Sequence, residues 1–454
     1  MKTMNPYRRL MLGLLSGAAI ALLLSCGGGS EAGNAISLGL GASGTPSAAV
    51  GADAPAGNGT GTSGTSSGST SSDAGGDTST ASNGSGSTDG SGVGSGGTGV
   101  SADAAGIGSA DGLGSVILNG LRYNTDTATF SVEDATDFQI GMSARVVGKV
   151  DADFTSGVAT QVVSAAELRG AASAIDLAAG TFVVMGTTVS IDSATVWGDG
   201  NGLGDVTAGN IAQVWGLPSA PGSLRATRVQ VAPALVDPLV TGTVQSLDTL
   251  SKTFMLGQLK VNYNAATFTG IDAPSLANGL IVRARGVAPP VANMLAATKV
   301  QGWYAIPVSD GIAVQLAGVI TDFTSRGAFK VLGAPVNAND AQITGGPAGS
   351  LGNGVKVEVD GSLSSGVLVV KKLRIRNVPG TGGPASFTLI GTIGAYQSPA
   401  SFRVRGQPVD ASGPGVIFEN GTAANLSDGK HVTVVGDRVL DGVLIAQRLT
   451  FASP

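Results

Sequence analysis

The sequence predicts an all-β protein: about five tandem small five-stranded barrels behind a disordered Gly/Ser/Thr tether. Three observations carry this. Composition breaks near residue 112, where a tract of Gly, Ser, Thr, Ala, Asn and Asp gives way to short apolar runs. Those runs alternate apolar and polar residues and are interrupted by Gly, Asn, Asp and Pro, the pattern of strands and turns. The pattern then recurs at a spacing of roughly 70 residues.

The N-terminal segment, residues 1–25, reads as a secretory signal. Lys2, Arg8 and Arg9 precede an apolar run from Leu10 to Leu24, which is too short to span a bilayer comfortably. Leu23, Leu24, Ser25, Cys26 and Gly27 resemble the lipobox of bacterial lipoproteins. That resemblance implies a lipid-modified Cys26, which would make the membrane a partner. More than one acyl chain anchors stably, at about 0.8 kcal/mol per buried methylene. Gly27, where Asp would hold a lipoprotein back, resembles cargo sent to the outer membrane of a Gram-negative cell envelope; periplasmic and surface faces both remain open. Cys26 is also the sole cysteine, so neither an internal disulfide nor a cysteine cluster is expected.

Residues 26–112 form the tether. It carries seven acids after Cys26, no Lys or Arg, and almost no large apolar side chain, so nothing there offsets the entropy of ordering. A flexible coil of that length averages about 50 Å end to end. Gly92, Gly94 and Gly97 match a dinucleotide fingerprint, but without the flanking strand and helix that give it a mechanism. Beyond the tether acids and bases nearly balance, which leaves no electrostatic footprint for nucleic acid.

The units are expected at 113–168 (a divergent copy), 169–238, 239–310, 311–382 and 383–454. Each of the last four opens on a Gly in an apolar run (Gly170, Gly242, Gly318, Gly391) and continues into a Phe strand (Phe182, Phe254, Phe329, Phe402). A third strand follows around Val189, Val261, Val336 and Val409, then a loop rich in Asp, Asn and Thr. A further Gly (Gly209, Gly279, Gly354, Gly429) precedes a fourth strand that ends in Gly216, Gly286, Gly361 or Gly436. The last strand reads Leu, any, small apolar, any, basic, aliphatic: Leu224 to Val229, Leu295 to Val300, Leu368 to Leu373 and Leu444 to Leu449. The apolar parity switches between Ala226 and Val229, which predicts a one-residue bulge.

Five short strands laid flat would leave two edges and a bare apolar face, whereas curling into a barrel buries both. The expected unit therefore resembles an OB-fold in size and strand count. The repeat pattern, together with the opening Gly114 to Tyr123, is similar to a bacterial envelope repeat family known only as a domain of unknown function. That resemblance implies no catalytic residues.

Little in the sequence points to chemistry. His431 is the single histidine, and alternation turns it away from the core, so an enzyme would have to work around it. No catalytic residue and no cofactor is expected. Asp199, Asn201 and Asp205 echo a calcium loop, but Leu203 stands where an oxygen ligand belongs and Asn210 where the closing Glu belongs, so a plain Gly-rich loop is the expected reading. Lys372, Arg374 and Arg376 share one strand face, as do Arg283 with Arg285 and Arg403 with Arg405. Such faces serve either as solvated outer surfaces or as grooves for an anion. Trp303 and Tyr304 are the one candidate sugar platform. The expected protein is a non-enzymatic envelope lipoprotein: a tethered spacer, scaffold or adhesion surface, with a glycan or an envelope protein as partner. The alternative is a binding module for an anionic envelope glycan or another anionic ligand.

Overall fold

The computed structural model describes residues 102–232, 237–378 and 386–453. The expected signal segment, Cys26 and the tether up to residue 101 lie outside the described residues. Every regular element among the described residues is a strand, apart from three single-turn 3₁₀ segments.

Repeat 1 sets the pattern. Its strands are β1 (Ala102–Leu113), β2 (Val116–Leu118), β3 (Leu121–Asn124), β4 (Thr129–Val132), β5 (Ser143–Val150) and β6 (Ser156–Ser164). β1, β2 and β3 form an antiparallel meander, and β3 then β4 lie parallel to successive halves of β6. β5 pairs antiparallel with β6 on one side and β1 on the other, so the hydrogen-bonded path returns to its start. The repeats at 168–232, 239–302, 313–377 and 387–451 follow the same pairing order. Each path encloses the side chains that alternation assigned inward, among them Phe182, Phe254, Phe329 and Phe402.

Three expectations need correction. The loop after the third strand holds a short sixth strand, such as Val196–Trp197 or Gln342–Thr344, because the last strand is long enough to pair with two successive partners. The first strand begins at Ala102, not near residue 113. Its composition is that of the tether, but Ala104, Ala105, Ile107 and Ala110 are buried. Finally, the repeats are not separate barrels. Repeats 1, 4 and 5 run together into an 18-stranded sheet and repeats 2 and 3 into a 13-stranded one. The cause is the unused edge of β1. Its own hairpin partner engages it only from Ala110 onward, and Ala104 to Ile107 pair in parallel with Ala313 to Leu316 of repeat 4. Gly112 and Leu113 pair with Thr388 and Leu389 of repeat 5. Leu168 and Arg169 likewise pair with Val240 and Leu239. A neighbouring repeat thus satisfies backbone groups that a free edge would leave bare.

The predicted bulge is present. Trp215 faces Arg228 and Gly216 faces Ala226, so Thr227 is the extra residue. The same one-residue slip falls opposite Gly148, Gly361 and Gly436. A Cβ on Gly361 would lie 2.1 Å from the carbonyl oxygen of Val369, and one on Gly436 2.3 Å from that of Ile445. The bulge draws the two backbones together there, so only glycine fits.

Candidate functional site

The three cationic strand faces singled out in the sequence meet three different fates. Arg283 and Arg285 of repeat 3 are drawn into a buried clamp. Glu167, in the link between repeats 1 and 2, is 0% exposed. It accepts hydrogen bonds from Arg283 Nη2 at 3.0 Å, Trp303 Nε1 at 3.0 Å and Ser143 Oγ at 3.2 Å. Asp134 of repeat 1 receives both arms of the Arg285 guanidinium, at 2.8 and 2.7 Å, and Arg169 Nη2 of repeat 2 at 2.5 Å. Burial pushes the Asp134 carboxyl up, but the hydrogen bonds and charge of Arg285, then Arg169, outweigh it and hold it at about 2. One face of the clamp is closed by Trp215, which packs with Met142, Ala166 and Leu239. Repeats 1, 2 and 3 all meet at this point.

Trp303 and Tyr304 belong to the clamp as well, which corrects the sugar-platform expectation. They are only 7% and 8% exposed. Tyr304 accepts from the Ala165 N–H at 3.1 Å and donates to the Ser143 carbonyl at 3.2 Å, and Arg283 stacks over its ring at 5.4 Å. Alternation could not show this, because the covering surface comes from another repeat.

Lys372, Arg374 and Arg376 do share one face of the last strand of repeat 4, but most of their charge is already engaged. Arg376 reaches Glu358 at 2.7 Å and Asp111 of β1 at 3.6 Å, and Arg374 reaches Glu358 at 3.1 Å. Lys372 Nζ donates to the carbonyl of Asp153 in repeat 1. Behind them Lys356 lies 3.9 Å from Asp192 of repeat 2, beside a cavity of about 20 Å³, room for about one water. Burial pushes the Glu358 carboxyl up to about 7 against the charge of Arg376, with Asp111 adding to the rise. Burial also raises Asp360, to about 6, against its Gln315 hydrogen bond and the charges of Arg374 and Lys372. The expected ligand face is thus an inter-repeat contact.

Arg403 and Arg405 remain accessible. They border a cleft of about 1060 Å³ whose walls come from repeats 1, 2 and 5. Their hydrogen bonds run to backbone carbonyls, Arg403 to Gly406 at 2.6 Å and Arg405 to Ile390 at 3.3 Å. Arg228 of repeat 2 forms the cleft floor. It donates to Ile140 O at 3.1 Å and Gln139 Oε1 at 2.5 Å, both neutral groups. Its burial lowers its pKa to about 10 against the opposing charge of Asp199.

The Asp199 loop is not gathered around a cation. Both Asp199 oxygens accept from the Val231 N–H at 2.8 and 3.0 Å, and Asp205 accepts from the Asn201 N–H at 2.6 Å. No group of three potential ligands converges among the described residues. The loop instead joins repeat 2 to repeat 5, where the Asp441 N–H donates to Gly200 O at 2.7 Å and the Gly442 N–H to Trp197 O at 2.9 Å. His431 is exposed, as alternation predicts.

Four segments of the chain, residues 169–230, 241–301, 317–372 and 390–450, match the domain of unknown function DUF5666. Together they cover more than half of the chain. The chain belongs to the DUF5666 family. The four DUF5666 segments fall on repeats 2 to 5, each beginning in the first strand and ending in the last. Repeat 1 lies outside the matched segments but shares their strand order. No curated protein matches the chain.

Proposed function

We propose that this DUF5666 protein is a non-enzymatic scaffold of the cell envelope, anchored in the outer membrane through a lipid on Cys26 and held off it by the tether. We read each repeat as an OB-like barrel. Support for that reading is the pairing order, in which a three-strand meander is closed by an antiparallel pair whose last strand runs parallel to the third.

One observation carries the scaffold reading. The sites where the repeats meet are filled with shared strand pairs and buried ion pairs, an arrangement that fixes geometry between repeats. Small barrels of this size are marginal alone, and neighbour contacts supply what each core lacks. A fixed body of joined repeats suits a spacer or adhesion surface. A second reading, capture of an anionic ligand, is favoured at one place, the cleft bordered by Arg403 and Arg405.

The anchor is tested by metabolic labelling of the full chain with a clickable palmitate analogue. The expected result is label on the wild-type chain and in its membrane fraction, and neither for Cys26→Ala. An unlabelled wild-type chain overturns the anchor.

A further inference from the structure

At several contacts between repeats, charge is neutralised where it stands. Arg169, Arg283, Arg285, Arg374 and Arg376 all sit against carboxylates within ion-pair distance. The cleft between repeats 1, 2 and 5 differs from those contacts. Arg403 and Arg405 flank it from one hairpin of repeat 5 and Arg228 lies at its floor, and none of the three makes an ion pair among the described residues. Asp137, Asp199 and Asp441 also border the cleft; the Asp199 oxygens are occupied by the Val231 amide, and Asp441 accepts from the Gly200 N–H at 3.4 Å.

Two further features argue for a built site. Arg405 occupies the first turn position of its hairpin with φ of 55°, a left-handed conformation that an arginine adopts at a cost and that asparagine or glycine adopts easily. The matching turn positions in repeats 2 and 4 are Met185 and Leu332, which fold over Gly170 and Gly318 as an apolar cover. Arg405 lays its stem over Gly391 in the same way, so repeat 5 places a guanidinium where repeats 2 and 4 place hydrocarbon, repeat 1 places Asn119 and repeat 3 places Gly257. Across the cleft, Phe130 is 47% exposed and leans on Phe138 with ring centroids 6.0 Å apart. An exposed Phe130, backed by the half-buried Phe138, on the same cleft as the guanidinium groups offers an apolar face and planar anion forks together.

We propose that this cleft binds an anionic glycan: its carboxylate or sulfate groups meet Arg403 and Arg405, and the apolar face of a sugar ring lies on Phe130. The inference rests on the second reading above and gives it a ligand class and a place. The cleft lies at the upper end of the ~300–1,000 Å³ common for small-molecule sites, which suits several sugar rings rather than a single ion. Gln230 and Gln407 also line it; the Gln407 amide nitrogen donates to the Pro408 and Gly442 carbonyls, and the Gln230 amide oxygen accepts from Arg228.

The experiment is titration calorimetry on the full chain with tetragalacturonate (carboxylate), a heparin tetrasaccharide (sulfate) and maltotetraose (neutral). At least one anionic probe is expected to bind, weakening as salt rises, with maltotetraose at least tenfold weaker. Arg403→Gln with Arg405→Asn is expected to weaken the anionic probe at least tenfold without lowering the thermal midpoint. Phe130→Ser is expected to weaken it severalfold, and Arg374→Gln, an exposed arginine elsewhere, to leave it unchanged. Equal binding of maltotetraose overturns the anionic class. Binding that survives the double substitution, or falls equally with Arg374→Gln, overturns the cleft while the anion-capture reading stands. If neither anionic probe binds the wild-type chain, both fall.

Discussion

The Asp134–Glu167 clamp and the Glu358–Asp360 cluster are built from the same residue types and behave in opposite ways. Both are buried, both join repeat 1 to other repeats, and both set arginines against carboxylates. In the clamp each carboxylate is ringed by donors: Asp134 by two guanidinium groups and the Ala166 N–H, Glu167 by Arg283, Trp303 and Ser143. In the cluster the acids Asp111 and Glu358 share Arg376, and Arg374 leads out toward solvent. One Asp360 oxygen is buried without a partner. Donor supply thus decides whether burial favours the ion or the acid. It follows that Asp134 holds as charge and Glu358 holds best when protonated.

The largest effect that would break this contrast is at Glu167. Replacing it by alanine leaves Arg283 buried without its carboxylate, at an expected cost of about 3–5 kcal/mol in denaturant unfolding. Asp134→Asn keeps the shape and removes the charge. With about 1.4 kcal/mol per pK unit, its expected cost at pH 7 is about 2 kcal/mol.

The pH dependence sharpens the contrast because the two signs differ. Asp134 titrates in the folded chain below its ordinary 3.8, so its contribution is present above that value and is lost as pH falls toward about 2. Glu358 titrates above its ordinary 4.5, so its contribution is full below that value and is lost as pH rises through about 7. Stability set by these two groups therefore peaks in the mildly acidic range, and unfolding midpoints measured from pH 2 to 9 check it. Glu358→Gln imitates the protonated acid. It is expected to change stability little at pH 5 and to stabilise at pH 8. Arg374→Gln, at the exposed rim, is expected to cost no more than about 1 kcal/mol. A loss there as large as that of Glu167→Ala would erase the distinction between the two regions.

How much of this was legible follows from the same geometry. Alternation places Val214 inside repeat 2 and Phe402 inside repeat 5, and the parity switch after Ala226 locates the bulge at Thr227. Parity states which side of its own sheet a residue faces, but not whether another repeat lies against that side. Trp215 points away from the core of its own strand, Trp303 and Tyr304 follow the end of theirs at Gly302, and all three are buried nonetheless by neighbouring repeats. The strand from Ala102 was hidden for a related reason: its small residues resemble the tether, and only pairing on both edges makes them a strand. Glu167 and Asp134 carried no local signal, since their partners lie 116 and 151 residues away. The three cationic faces were visible as a pattern, but only Arg403 and Arg405 border the cleft.

The central claim is that repeats 1 to 5 form one body joined by shared strands and buried charge. Scanning calorimetry of the full chain tests it most directly. A single transition is expected, with the calorimetric and van't Hoff enthalpies equal within error. Several resolved transitions, or a calorimetric enthalpy severalfold above the van't Hoff value, would show repeats that unfold one by one and contradict the claim.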